Sequence, residues 1–325
     1  MDTEKPAVWP GFWARLGAWI IDLVLVAAVC FGIGWLAMDL VSSLGPKGRL
    51  IGLAIGVAYF GVTASGFGGG QSLGMRLLGL KVVSVSGRPL GMVVALARAA
   101  LLITPVILNG LMLNVPSTLW ALVLGALLIT AMAGLSLAQV YLLIFNRPTR
   151  RLVHDLVFGS VMVRAKVTEF EVPPGRRHAV VAAAIPVAIL AIFIALLVAP
   201  TPWKPNLGAA SGKLFPVIDA VNAIPGVSGA AVRDNTTTFY PTEGTPTVNR
   251  NLVVSGRVGV WPEEPDGVLA RIGAATVGVY EFAPDQGLTV ILVRGFDLGF
   301  ATYSWGESRA YSTTCVAADV TCLKP

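Results

Sequence analysis

Long apolar segments alternate with short polar loops over the first 200 residues of the chain. A helix needs about 20 apolar residues to cross the roughly 30 Å hydrocarbon layer of a bilayer, and five segments come near or above that length. These predicted spans cover residues 16–38, 50–66, 91–113, 119–145 and 179–199. The first is not a cleaved signal peptide, because Asp22 interrupts its apolar run and no small-residue cleavage site follows closely. The pattern therefore predicts an all-α polytopic membrane bundle of about five transmembrane helices.

The pattern changes after the fifth span, where the composition becomes that of a soluble domain. Apolar residues recur on one face of two predicted helices, which Ser211 and Asp266 can cap. Residues 234–250, rich in Asn, Thr and Pro, are predicted to form a loop. Short β-type runs fit residues 228–233, 251–261, 288–295, 299–305 and a further run at 308–314. This order predicts α-β-β-α-β-β, a small α+β two-layer sandwich.

The composition supports a membrane location for the first part of the chain. Of all residues 55% are hydrophobic and 13% are charged, whereas soluble domains carry about 25% charged residues. The net charge of +6 is uneven, since residues 1–200 carry +8 and the remainder −2. The basic residues flank apolar segments instead of forming a patch with aromatic residues. We therefore expect contact with the anionic headgroups of the lipid bilayer and no binding of nucleic acid.

The distribution of Lys and Arg predicts the orientation, because short loops rich in these residues stay in the cytoplasm. With a cytoplasmic N-terminus, the inside pieces hold 12 Lys and Arg, whereas the outside loops hold only Lys47 and Arg49. Five crossings then place the C-terminal part outside. The predicted regions are a membrane domain at 1–165, a cytoplasmic linker with the fifth span at 166–202, and an extracytoplasmic domain at 203–325.

Two cysteines near the C-terminus agree with this orientation. Cys315 and Cys322 are separated by six residues and lie in the part assigned to the outside. Disulfides persist in oxidising compartments and are rare in the cytosol, which makes the two residues a disulfide candidate. Two unpaired thiols are the alternative interpretation.

Three stretches next to the predicted helices carry a family resemblance. The first helix begins with GFWARLGAWIID at residues 11–22, and the second is followed by GQSLGMRLLGLKVV at 70–83. After the fourth come RRLVHD at 150–155 and GSVMV at 159–163. In this order and spacing they resemble the RDD family of bacterial membrane proteins, over residues 10–165.

The resemblance implies that Arg15, Asp22 and Asp155 are the arginine and the two aspartates for which the family is named. Ser160 stands where the family pattern has Thr, which keeps the hydroxyl group. Most members of the family have no assigned activity, and transport of ions or solutes has been proposed for some. The resemblance does not extend to the fifth span or to the C-terminal domain.

Two charged residues lie inside the predicted spans, Asp22 in the first and Arg98 in the third. Asp22 follows Arg15 by seven residues, a rise of about 10.5 Å, so the two share a helix face but are too far apart to pair. A lone charge inside the bilayer costs at least a few kcal/mol. Because Arg98 lies at a similar depth, we predict an Asp22–Arg98 contact, with Asp155 near Arg15. A structural ion pair is favoured over a proton or cation site on a translocation path.

Two functional hypotheses follow from the sequence. In the first, the bundle anchors an outer domain that binds an envelope protein or a cell-wall component. In the second, the chain is a small ion or solute transporter, or a transporter subunit, that uses Asp22 and Arg98. No nucleophile–base set, paired catalytic carboxylates or ligand cluster is evident, so we expect no enzyme, no cofactor and no metal site. The small residues of the helices fit a compact bundle or a homo-oligomer equally well.

Overall fold

The computed structural model describes residues 8–109, 118–173, 176–198, 207–239 and 247–312. The chain divides into two compact units, and each is built from separate stretches of sequence. The first unit comprises Met1–Gly32, Arg49–Pro202 and Leu298–Ala301. The second unit comprises Ile33–Gly48, Trp203–Asp297 and Thr302–Pro325.

Apolar helices form most of the first unit. They are α1 (Phe12–Leu36), α3 (Arg49–Ala64), α5 (Met92–Leu108), α6 (Thr118–Ile129), α7 (Leu135–Phe145) and α9 (Arg176–Val198). A π-helical turn at Thr130–Gly134 joins α6 to α7. Among the described residues, the stretches long and apolar enough to cross a membrane are Phe12–Leu36, Val123–Phe145 and Arg177–Ala195. The two other predicted spans form the shorter helices α3 and α5, of 16 and 17 residues.

The first unit also contains a two-stranded sheet, so the prediction of an all-α bundle is wrong in this respect. The short helix α4 (Leu73–Leu77) leads into β1 (Leu80–Ser84), and α8 (Val153–Val157) leads into β2 (Ser160–Arg164). The strands pair antiparallel, with Val82 opposite Met162. Their apolar residues are too few to span a bilayer, and they are buried in the sheet instead.

These two helix–turn–strand motifs are copies of one arrangement, and the second follows the first at an offset of 80 residues. The offset holds from Leu73 to Val153 and from Leu80 to Ser160. In each copy a glycine with positive φ joins helix to strand, Gly79 at +64° and Gly159 at +61°, a conformation that glycine adopts without steric cost.

The repeat includes the long helices. α1 begins at Phe12 and α5 begins at Met92, again 80 residues later, while α3 and α7 end at Ala64 and Phe145. Each copy thus consists of two apolar helical stretches, a short helix and a strand. The apolar stretches are α1 and α3 in the first copy, and α5 and α6–α7 in the second. Such internal repeats are common in membrane proteins. We call them the first copy, from α1 to β1, and the second copy, from α5 to β2.

The C-terminal part of the second unit contains a four-stranded sheet with two helices. Its elements are α10 (Leu207–Asn222), β3 (Val227–Phe239), β4 (Thr247–Val258), α11 (Pro265–Val277), β5 (Gln286–Asp297) and β6 (Thr302–Tyr311). The strand order is β3-β4-β5-β6, with β4 and β5 parallel and the other pairs antiparallel. Alternate residues of the central strands pack against apolar residues of α10 and α11 to form one core. The predicted order of elements agrees with this one.

Several predicted boundaries in this region are wrong. α10 begins at Leu207, so Ser211 lies within it, and Glu264 rather than Asp266 precedes α11. Much of the predicted loop 234–250 belongs to β3 and β4, whose cross-strand pairing outweighs a composition typical of loops. The runs predicted at 299–305 and 308–314 correspond to the single strand β6.

The segment after α1 belongs to the second unit. The short helix α2 (Met38–Leu44) packs against the end of β5. There the Ser42 hydroxyl donates to the carbonyl oxygen of Gly295 at 2.7 Å and accepts from the Gly295 amide at 3.0 Å. Asp39 forms an ion pair with Arg294. The second unit therefore joins a loop of the membrane region to the C-terminal sheet.

The turn between β5 and β6 belongs to the first unit, where it packs against α3. A Cβ atom at Gly52 would lie 1.7 Å from the carbonyl oxygen of Leu298, and one at Gly56 would lie 2.7 Å from the ring of Phe300. Leu298 is fully buried. The two glycines of α3 therefore provide the space that this turn occupies.

Candidate functional site

Asp22 holds the N-terminus of the short helix α4. Its Oδ1 accepts hydrogen bonds from the Tyr59 hydroxyl at 2.7 Å and from the backbone amide of Gly74 at 2.8 Å. Its Oδ2 accepts a short hydrogen bond from the hydroxyl of Ser72, which itself accepts from the amide of Met75 and caps the helix. The first amides of a helix lack intrahelical partners, and a carboxylate is favourable there. The carboxylate is thus fully engaged in local structure.

Arg98 and Asp155 form a buried ion pair in the second copy. The guanidinium of Arg98 donates from Nε at 3.0 Å and from Nη2 at 2.8 Å to Oδ1 of Asp155. The Ser160 hydroxyl accepts from Arg98 and donates to the same oxygen at 2.7 Å. Oδ2 of Asp155 accepts from the amide of Leu152, just before α8. Burial alone would raise the pKa of Asp155, but Arg98 holds that pKa well below its usual range.

The expected Asp22–Arg98 contact is therefore wrong. Each residue pairs within its own copy of the repeat: Asp22 with donors around α4, and Arg98 with Asp155 next to α8. Both charges have partners, as their depth in the bilayer requires. The partners differ from the predicted ones because α4 and α8 bring polar groups to the helices from outside the spans.

Arg15 joins the first copy to the second. Its guanidinium donates to the carbonyl oxygens of Thr149 at 2.6 Å, Arg150 at 2.9 Å and Met162 at 3.0 Å. It binds these backbone groups and not the carboxylate of Asp155, which nevertheless lies near enough to interact with it electrostatically, as expected. A planar guanidinium with several donors suits such a cluster of carbonyl groups.

His154, next to Asp155, is a buried and neutral histidine. Burial lowers its pKa to about 3. Its Nδ1 lies 3.1 Å from Oε1 of Gln139, an acceptor, so we assign the ring proton to Nδ1. Nε2 lies 3.7 Å from Asp155, beyond hydrogen-bonding distance. The pair has no geometry for acid–base chemistry.

No pattern in the sequence points to two further polar residues at this site, Tyr59 and Gln139. They are 80 residues apart and occupy equivalent positions in the two copies. Each bonds a side chain of its own copy, Tyr59 that of Asp22 and Gln139 that of His154. The 80-residue spacing of the repeat relates these two positions. Their side chains differ in chemistry, so residue identity alone does not reveal the relation.

The cysteine and metal predictions have separate outcomes. Cys315 and Cys322, the disulfide candidate, lie outside the residues that the structure describes, and their pairing stays a prediction. Cys30 is a buried free thiol in α1. Within the described ranges, no group of three or more His, Cys, Asp and Glu residues could hold a metal ion.

Comparison with known proteins agrees with the resemblance. Residues 9–159 match the model of the RDD family. The chain is 26% identical over 171 residues to the uncharacterized protein YckC of Bacillus subtilis (strain 168), an alignment that covers 53% of this chain and 93% of YckC. No solved structure matches the chain. The matched range contains Arg15, Asp22, Arg98 and Asp155, and residues 9–159 of this chain are therefore similar to the RDD family.

Proposed function

We propose that this chain is a multi-pass protein of the bacterial cell membrane that anchors an extracytoplasmic binding domain. The domain binds a component of the cell envelope, a protein or part of the cell wall. One observation favours this function over transport. Asp22 and Arg98, the charges that a transport path would use, are both engaged in holding the short helices α4 and α8.

The grouping of the chain into units supports the proposed topology. Ile33–Gly48 and Trp203–Asp297 belong to the same unit, which supports a location of both on the same side of the membrane. Such a location requires an even number of crossings between Gly48 and Trp203. Among the described residues, the apolar helical stretches of more than ten residues between them are α3, α5, α6–α7 and α9, four in number. With α1 this gives five crossings, and the excess of Lys and Arg in the other loops assigns the second unit to the outside.

One face of the sheet is suited to bind a protein partner. The helices α10 and α11 pack on the opposite face. Across the strands, Ala231 lies beside Ser255, Ser255 beside Ile291, and Ile291 beside Ser308. These four side chains are uncharged, whereas Arg233 and Arg257 lie on the same face, two positions away along β3 and β4. Arginine is enriched in protein interfaces, in which other charged residues are depleted.

Site-specific photocrosslinking in living cells tests the binding role. A photoreactive amino acid at Ser308, which is exposed on this face, is expected to give an adduct of discrete size. The same amino acid at Arg271, exposed on α11, serves as the matched control and is expected to give none. Absence of an adduct at both Ser255 and Ser308 would contradict the proposal.

Flux measurements test the transport alternative. Proteoliposomes that contain the full chain are expected to show no proton or sodium flux above that of empty vesicles. If flux appears, Asp22→Asn and Tyr59→Phe separate the possible causes, because the second variant keeps the carboxylate and removes one of its donors. Flux that is lost in Asp22→Asn and kept in Tyr59→Phe would favour transport over the proposed role.

A further inference from the structure

Four aromatic side chains of the second unit form two contacting pairs, which lie next to each other on β6. The ring of Trp35 meets that of Tyr303 edge to face, with centroids 5.6 Å apart. The rings of Trp261 and Trp305 lie 4.0 Å apart. Tyr303 and Trp305 are two positions apart on β6 and therefore project from the same face of that strand. We call these four residues the aromatic row.

Apolar residues next to the row are strongly exposed. Val260, which precedes Trp261, is 68% exposed, and Leu36, which follows Trp35, is 88% exposed. Leu40 in α2 is exposed as well. Soluble surfaces rarely carry a contiguous apolar patch of more than a few hundred Å², and larger patches mark contact with a membrane or another protein.

The helix α1 indicates that a membrane, and not another protein, covers the aromatic row. It has 25 residues, a length of about 37 Å at 1.5 Å per residue, which exceeds the roughly 30 Å of hydrocarbon. Trp35 lies in its last turn and therefore reaches the level of the lipid headgroups. Since Tyr303 touches Trp35, the start of β6 lies at the same level. Trp305, two residues further on, is at most about 7 Å away along the strand.

We propose that the aromatic row lies in the headgroup layer of the outer leaflet, so that the second unit binds the lipid surface directly. This inference rests on the topology proposed above. Tryptophan and tyrosine favour this layer because their rings are apolar and their N–H and O–H groups are polar. The charges at the row are balanced, since Arg294, opposite Trp305 in the sheet, is paired with Asp39. Binding therefore depends on the rings and not on anionic lipid.

Fluorescence quenching by brominated lipids tests this proposal on the full chain in nanodiscs. Trp305→Phe removes the emission of one ring, and the difference from the unmodified chain reports its depth. That emission is expected to be quenched about twofold more strongly by bromine near the headgroup end of the acyl chains than by bromine near the chain ends. Exchange of the lipid charge should leave the ratio unchanged.

A tryptophan at the far end of the sheet provides the matched control. Asn249 lies near the start of β4, which runs parallel to β5. Phe296 lies near the end of β5 and next to Gly34 of α1. Asn249 is therefore at the opposite end of the sheet from Phe296. The emission of Asn249→Trp in the Trp305→Phe background should not be quenched by either lipid. If the Trp305 emission also escapes quenching, or is quenched more strongly by the deep bromine, the proposal is overturned.

A labelling experiment in cells separates this proposal from the topology. Asn249→Cys is expected to react with a membrane-impermeant maleimide beyond the level of the unmodified chain. Labelling without quenching of Trp305 would refute the lipid contact and keep the extracytoplasmic location. Failure to label would refute the location and the lipid contact in the outer leaflet together.

Discussion

The two copies of the repeat hold the same architecture with different chemistry. In the first copy, a carboxylate on the long helix, Asp22, directly binds uncharged donors at the start of α4. In the second copy, the helix α5 carries a cation, Arg98, and the carboxylate is Asp155 on the short helix α8. In both copies a carboxylate accepts a hydrogen bond from a backbone amide at the start of the short helix. The copies differ in the group that stays buried without a partner when one residue is replaced, a neutral donor in the first copy and a charge in the second.

This difference matters because a buried charge without a partner lowers the free energy of unfolding more than a buried neutral group without one. Removing one member of a buried ion pair leaves an uncompensated charge and costs about 3–5 kcal/mol. Leaving a neutral donor without its acceptor costs about 1–3 kcal/mol. The second copy should therefore be the more sensitive of the two to substitution.

The largest expected effect is at Arg98. Arg98→Met keeps the length of the side chain but leaves Asp155 buried without its cation, and we expect a loss of about 3–5 kcal/mol in the free energy of unfolding. Thermal unfolding of the purified protein in detergent measures the loss. The double variant Arg98→Met with Asp155→Asn should be more stable than Arg98→Met alone. A double variant no more stable than the single one would contradict the buried ion pair.

A smaller loss is expected in the first copy. Asp22→Asn keeps one acceptor oxygen but brings an amide group against the donors of Tyr59, Ser72 and Gly74, and should cost about 1–3 kcal/mol. The control is Asp39→Asn, which removes the same charge from an exposed ion pair and should cost about 0–1 kcal/mol. If Asp22→Asn proves as damaging as Arg98→Met, the two copies do not differ in the way described.

Acid sensitivity is expected from His154 in the second copy, and it sharpens the comparison. Burial lowers the pKa of His154 from an ordinary 6.5 to about 3 in the folded protein. Below pH 6.5 the unfolded chain therefore binds a proton that the folded chain does not, and stability falls as the pH drops. From pH 6.5 to pH 5 the loss from this residue should be about 2 kcal/mol.

Unfolding of His154→Gln as a function of pH measures that contribution. The variant should lose less stability between pH 6.5 and pH 5 than the unmodified chain. Asp155, whose pKa lies below its usual range, adds acid sensitivity only at lower pH and does not confuse the comparison. Equal slopes for the two proteins would show that His154 is not buried in the neutral form.

Local pattern was enough to predict much of the fold. The apolar runs located the helices of the first unit because each spans many residues with few charges, and alternation in the C-terminal part gave the order of helices and strands. The short strands β1 and β2 were missed because five residues, three of them apolar, are ambiguous without a partner strand. The repeat was missed because it is visible in the spacing of elements and hardly in residue identity.

The sequence by itself determined that this chain has apolar helices suited to a bilayer, resembles the RDD proteins over its first half and has an α+β domain after them. Those properties depend on composition and periodicity, which act locally along the chain. Only the tertiary structure decided that Arg98 pairs with Asp155 and not with Asp22, and that the segment after α1 joins the C-terminal sheet. Partners of this kind are set by packing between residues that are distant in sequence, because a buried charge binds whichever group the fold places beside it.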